Sequence, residues 1–168
     1  MTINCKGTLV DISSPKVMGV LNITPDSFFD GGRYKNDTQI LSQVEKMLTE
    51  GATFIDVGAY SSKPGAIHIS EDEELKRIVP VIDLLLKNFP EIILSIDTFR
   101  SKVAQETIHT GAAIINDISG GKMDNDMFAT VANLKVPYIL MHMQGTPQNM
   151  QQNPIYEDVT KEIIFFFA

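Results

Sequence analysis

Polar residues stand where the apolar runs of this chain stop. Asn22 closes one run, Asp56-Val57-Gly58 the next, then Asp97, Asn116-Asp117 and finally His142. In parallel α/β folds, ligands bind outside the carboxyl ends of the strands, so five such positions outline a shared site. Asp97-Thr98 and Asn116-Asp117 are equally suited to capping the helices that follow. Two connections are longer than a simple strand-to-helix turn needs. The first, Thr24–Asn36, carries Asp26, Phe28, Phe29 and Asp30, and its two aromatics could wall an aromatic ligand and exclude water. The second, Gly58–Ser70, carries Lys63, whose ammonium can hold a phosphate as a point charge. Ser119-Gly120-Gly121 offers backbone N–H groups near a helix start, a weak anion-binding signal. His68, His109 and His142 lack metal-ligand spacing, and Met141, Met143 and Met150 suit packing. No nucleophile elbow, phosphate loop or dinucleotide fingerprint occurs.

The elements that must position these residues alternate. Apolar, β-rich runs span Val17–Ile23, Phe54–Val57, Ile92–Ile96, Ala113–Ile115 and Val136–Met141. Between the first two, Ile40, Leu41, Val44, Met47 and Leu48 share a helical face, with Gly51 at the C-terminal cap. Ser70 followed by Glu73 has capping-box spacing, and Glu71, Asp72 and Glu74 complement the dipole of the helix they open. That helix buries Leu75, Ile78, Val79, Ile82 and Leu86, and Pro80 is expected to kink it. Shorter helices are predicted over about 100–109, ended by Gly111, and about 124–134. Ile3–Val10, around Gly7, predicts a small hairpin.

Short, nearly uninterrupted apolar strands alternating with helices predict a parallel sheet covered by helices. The repeat is about 30 residues, so an eight-stranded α/β barrel would need roughly 250. The 168 residues predict a single domain, 1–168, holding about five of the eight βα units of a (β/α)8 TIM barrel and truncated at its C-terminus. A five-stranded open α/β sheet is the alternative, and length alone favours it. The formal charge of −7 argues against broad nucleic-acid or anionic-membrane binding. Cys5 is the sole cysteine, so neither an internal disulfide nor a cysteine metal cluster can form. With no signal pattern and no apolar run of about 20 residues, a cytoplasmic location is expected.

The segments "GVLNITPDSFFDGG", "GATFIDVGAYSSKPGA", "SIDTFRSKVA", "NDISGG" and "MHMQGTPQNMQ" follow successive runs in order. Together, from about residue 16 onward, they closely resemble the dihydropteroate synthase family of pterin-binding enzymes, the sulfonamide targets of folate synthesis. The resemblance implies a (β/α)8 barrel and a transferase. It would join p-aminobenzoate to 6-hydroxymethyl-7,8-dihydropterin diphosphate, releasing dihydropteroate and pyrophosphate with Mg2+ assisting. It implies that Asn22 helps hold the metal, and that Asp97 and Asn116 hydrogen-bond the pterin edge. Asp56 would support that pocket, with Ile118 and Met141 as apolar contacts. Phe28, Ser62, Lys63 and Pro64 would line the p-aminobenzoate side, and Asp30 and Lys63 would carry catalytic roles. A homodimer is implied for the full-length protein.

The chain departs from the family pattern in three places. Ser62 and Lys63 replace a Thr-Arg pair, which keeps the charge but loses the bidentate fork. Phe29 stands where serine is common. The Lys and Arg/His motifs of the later strands have no counterpart, so the fragment alone is expected to be inactive. Two other readings stay open: a pterin-binding methyltransferase domain, which has no need of the diphosphate loop, and a non-enzymatic binding or oligomerising fragment with exposed edge strands.

Overall fold

The computed structural model describes residues 1–23, 33–61 and 68–168, with side chains described for all of these but 33–36. Two short strands, β1 (Thr2–Cys5) and β2 (Thr8–Asp11), form the expected antiparallel hairpin. Its two-residue turn has positive φ at both Lys6 (49°) and Gly7 (94°), the backbone twist that joins antiparallel strands tightly.

Five parallel strands follow: β3 (Val17–Asn22), β4 (Ala52–Gly58), β5 (Leu94–Asp97), β6 (Ile114–Asp117) and β7 (Tyr138–Leu140). They pair in chain order, β3-β4-β5-β6-β7, with no reversal. A doubly wound open sheet reverses its order at a switch point. Sequential addition of parallel strands with one layer of helices is the winding of a (β/α) barrel, which decides between the two folds the sequence left open. Three of the strands run further toward their C-termini than the apolar runs indicated, because the ladder takes in Gly58, Asp97, Asn116 and Asp117. Backbone pairing does not distinguish apolar from polar side chains.

The helices are α1 (Arg33–Thr49), α2 (Glu71–Asn88), α3 (Ser101–Thr110), α4 (Met127–Leu134) and α5 (Val159–Phe167). At the start of α2 the Ser70 hydroxyl accepts from the Glu73 N–H at 3.2 Å, as the capping spacing predicts. The Glu73 carboxylate does not reach back to complete the box; it pairs with Arg77 Nε at 2.8 Å. The helix continues through Pro80. Arg100 stands at the N-cap of α3 and offers it no side-chain acceptor. Asp124, expected to open α4, instead accepts from the Ser101 N–H at 2.7 Å and the Asp126 N–H at 3.0 Å. The next connection thus caps this helix, and α4 starts three residues later. Burial alone would raise the Asp124 carboxyl, but those two hydrogen bonds hold it below its usual range.

Along each strand, alternate residues face the helices and the inside. Leu21, Ile55, Val57, Leu94, Ile96 and Ile115 face Val44, Ile78, Ile82, Leu85, Val103 and Ile108 in the main core. Fully burying side chains of this size stabilises the fold by about 1.5–3 kcal/mol each. On the other face, Phe54 and Ile114 meet Cys5 and Val10, so the hairpin covers the N-terminal ends of the strands. Lys6 fastens the hairpin by donating to the Ile108 carbonyl near the end of α3, at 2.7 Å. Apolar surface stays open elsewhere among the described residues: Val20 on β3 is 59% exposed, Ile139 on β7 39%, and Phe165 on α5 86%. No described helix is long and apolar enough to cross a membrane.

Candidate functional site

With the hairpin over one end of the sheet, the polar residues gather at the other. Strand register lays them out in two rungs. The upper rung runs Asn22–Gly58–Asp97–Asn116, and the lower rung Val20–Asp56–Ser95–Ile114. Residues two apart on a strand share a face, so Asp56, Ser95, Asp97 and Asn116 all project to the inside, away from the helices.

Gly58 is the centre of the upper rung. A Cβ there would lie 3.3 Å from both Asn22 Oδ1 and Asp97 Oδ2, so these two side chains converge over a position that has none. One level below, Asp56 Oδ2 accepts a hydrogen bond from Asn116 Nδ2 at 3.0 Å. Asp56 Oδ1 and the Ser95 hydroxyl are buried without a hydrogen-bond partner. Buried polar atoms are nearly always paired, and two unpaired ones on neighbouring strands mark a place shaped for something other than packing.

The electrostatics agree. Burial pushes the Asp97 carboxyl up to about 7, and the like charges of Asp56, Glu74 and Asp117 push in the same direction. Burial also raises Asp56, opposed by the Ser95 hydroxyl, which stands beside it on the neighbouring strand without a well-formed hydrogen bond, and by the Asn116 amide. The inside thus presents two under-partnered carboxyls that favour any ligand bringing hydrogen-bond donors.

The remaining strand-end positions serve the scaffold. Asp117 faces the helices and is fully occupied. Its carboxylate accepts from the Ser119 N–H (2.7 Å), the Gly121 N–H (2.8 Å) and the Tyr138 hydroxyl (2.6 Å). The Gly-Gly turn, a weak anion-binding signal in the sequence, receives a carboxylate from its own chain. His142 stacks edge-on against Phe166 and beside Tyr156. Ile118 and Met141 are half-buried, and the Met141 N–H donates to the Asp117 carbonyl at 3.2 Å. Phe28, Asp30, Ser62, Lys63 and Pro64 lie outside the described residues.

Two features escaped the reading of the sequence. Glu74, taken as a dipole-complementing acid, is fully buried. It accepts from the Thr98 hydroxyl at 2.8 Å and pairs with Arg100 at 2.5 Å. Burial raises its carboxyl; Thr98 and Arg100 oppose that. The Arg100 guanidinium lies over the rings of Tyr60 and Phe99 and donates to the Ile69 carbonyl at 2.7 Å. It ties the end of β5 to residues on both sides of 62–67. The second feature is Ser95, a lone hydroxyl in an apolar run, two residues before Asp97.

Among the described residues no group of three or more His, Cys, Asp or Glu could hold a metal ion. Asn22, exposed at the end of β3, offers one neutral oxygen. That fits Mg2+, which keeps several waters and takes its remaining ligands from phosphate, and it does not fit an all-protein cage.

A sequentially wound parallel α/β structure with convergent carboxyls at the C-terminal ends of its strands is a barrel-type ligand-binding protein. Residues 18–168 match the model of the pterin binding enzymes. The chain belongs to that family. It is 42% identical over 166 residues to dihydropteroate synthase of Haemophilus influenzae, covering 99% of this chain and 60% of that protein. Among solved structures, Yersinia pestis dihydropteroate synthase in a sulfonamide drug complex superposes with a TM-score of 0.86 at 44% identity, over 99% of this chain and 60% of that one. Xanthomonas albilineans dihydropteroate synthase with 4-aminobenzoic acid gives 0.84 at 35% identity, over 99% and 58%. The chain spans 20% to 60% of the length of the curated relatives it matches.

Proposed function

We propose that this chain carries the pterin-binding part of a dihydropteroate synthase, residues 1–168 forming one domain with the first five βα units of the barrel. The observation that carries this reading is the set of under-partnered acceptors formed by Asp97, Asn116 and Asp56 at the C-terminal ends of β4–β6. A pterin presents an amino group and a ring N–H side by side, and a carboxylate accepts both. Binding by matched buried polar groups discriminates strongly, because a ligand without them leaves the site unpaired. The Yersinia structure with a sulfonamide drug and the Xanthomonas structure with 4-aminobenzoic acid support an arylamine as second substrate.

In this reaction the bond between the pterin methylene carbon and the diphosphate oxygen breaks, and its electron pair leaves with diphosphate. The arylamine nitrogen then forms the new C–N bond and loses a proton. Positive charge developing on the methylene spreads into the ring, where ionised Asp97 on the ring edge stabilises it. Asn116 fixes the ring's orientation, and Ile118 and Met141 exclude water from its faces. Phe28, Ser62 and Pro64 enclose the arylamine, with Asp30 acting beside them. The charge of Lys63 favours the departing diphosphate. Asn22 would hold Mg2+, which when bound neutralises charge on the diphosphate. No step requires a side-chain nucleophile. On the family resemblance, the full-length protein is a homodimer.

Calorimetric titration of the purified chain with pterin diphosphate and Mg2+ tests the reading. One-to-one binding that is lost in Asp97→Asn is expected. A folded chain that takes up no pterin diphosphate overturns it.

A further inference from the structure

Arg100 makes more contacts than its partner carboxylate asks of it. Glu74 needs one cation, and a single guanidinium nitrogen, Nη1, meets that need. The other, Nη2, donates to the Ile69 carbonyl at 2.7 Å. The same guanidinium lies over the Tyr60 ring, 5.3 Å from its centroid, and over the Phe99 ring at 5.1 Å. Those two rings meet edge-on at 5.0 Å, and the Tyr60 hydroxyl is hydrogen-bonded to His68 Nδ1 at 3.1 Å. Tyr60, Phe99 and Arg100 are all buried. Tyr60 is the second residue after β4, and His68 and Ile69 lead into α2. The chain therefore leaves the sheet and returns toward it at one buried block built around Arg100. Stability alone does not account for such a block, because apolar side chains of like volume often replace a buried ion pair at no cost. A flat fork of donors, by contrast, is the side chain that can meet a carboxylate, a carbonyl and two ring faces at once.

We propose that Arg100 is a positioning residue for the second substrate. It fixes the two points, Tyr60 and Ile69, between which the 62–67 connection runs. Pinning both ends of a connection removes conformations that binding would otherwise have to freeze out. The inference rests on the reading that sets the arylamine beside residues 62–64, and it adds a residue outside that connection on which its anchorage depends. Arg100 acts through Tyr60 and Ile69, with Glu74 holding the guanidinium in place from the helix side.

Two probes separate the halves of the site by calorimetric titration. One is 6-hydroxymethylpterin alone. The other is 4-aminobenzoic acid, with inorganic pyrophosphate present in place of the leaving group so that no reaction occurs. Arg100→Lys keeps a cation opposite Glu74 but loses the fork. Tyr60→Leu leaves the ion pair intact and removes the ring and its hydroxyl, so it carries the test if the first variant fails to fold. Each is expected to weaken 4-aminobenzoic acid about tenfold, as lost preorganisation implies, and to leave the pterin probe within about twofold of wild type. Tyr60→Phe, which keeps a ring under the guanidinium, should recover most of that loss. A phenylalanine as poor as leucine would give the role to the His68 contact and overturn the part assigned to Arg100. Both probes weakening together would mean that Arg100 serves the fold as a whole, and the inference fails; it fails too if neither moves. Wild type that binds the pterin probe but not 4-aminobenzoic acid overturns the inference and leaves pterin recognition standing. Wild type that binds neither overturns both.

Discussion

Four carboxylates near the C-terminal ends of the strands divide into two kinds. Asp117 and Glu74 lie on the helix side of the sheet; Asp56 and Asp97 lie on the inside. Asp117 collects two backbone N–H groups and a tyrosine hydroxyl, and Glu74 a threonine hydroxyl and a guanidinium. Asp56 has one amide partner and an empty oxygen, and Asp97 faces three like charges. Burial taxes all four, so burial cannot tell structure from site. The number of partners can. On the helix side the chain supplies every donor itself, whereas on the inside it withholds them.

The comparison breaks most easily at its strongest pair. Arg100→Met leaves Glu74 buried and unpaired, and an uncompensated buried charge of this kind costs about 3–5 kcal/mol. Urea denaturation should show that loss. A variant within 1 kcal/mol of wild type would mean that the pair is not the tie it looks to be. The inside predicts the opposite sign. Asp97 has a folded-state pKa of about 7, above its unfolded value near 4. Between those pH values the folded state holds a proton that the unfolded chain has lost. Stability therefore falls as pH rises from about 4 to about 7, and the loss is complete above that. Asp97→Asn removes this slope, so without ligand or magnesium at pH 8 it should be more stable than wild type by about 2–3 kcal/mol after solvent screening. The same variant should lose pterin binding. If it proved less stable than wild type at pH 8, Asp97 would belong with the structural carboxylates.

Much of this was legible in the residues. Strand-end polarity pointed to Asn22, Asp56, Asp97 and Asn116, and all four lie on the inner face at the predicted end. Asp117 was grouped with Asn116, although period-2 alternation already sends neighbours to opposite faces; the signal was there in the spacing. Ser95 was equally visible as a polar residue in phase with Asp97. Glu74 was not. Its burial depends on Arg100, 26 residues away and beyond another strand, and local composition carries no record of such a partner. The sequential strand order was likewise hidden, because alternation of strands and helices fits both barrels and open sheets. Asp124 shows the same limit at a helix end, since its place in sequence suggested one helix and its hydrogen bonds serve another.

Smaller effects sharpen the division. Tyr138→Phe deletes one of three donors to Asp117, and should cost about 1–1.5 kcal/mol while leaving pterin affinity unchanged. A drop in affinity would show that the two sides of the sheet are coupled. Gly58→Ala asks the converse question with the least change in stability. The new methyl would sit 3.3 Å from Asn22 Oδ1 and Asp97 Oδ2, tighter than ordinary contact, but both atoms end side chains that can yield a few tenths of an ångström. Stability should change by less than about 1 kcal/mol, because no backbone must shift and the strand gains a β-carbon. Affinity should fall about tenfold, because the shifted carboxyl and amide are the groups that meet the ligand and misplaced hydrogen bonds weaken steeply. Measured together, the two variants separate what holds the sheet from what the sheet holds. Tyr138→Phe should move stability alone, and Gly58→Ala binding alone. If Gly58→Ala bound as wild type does, the ligand would have to rest elsewhere than on the Asn22–Gly58–Asp97 rung.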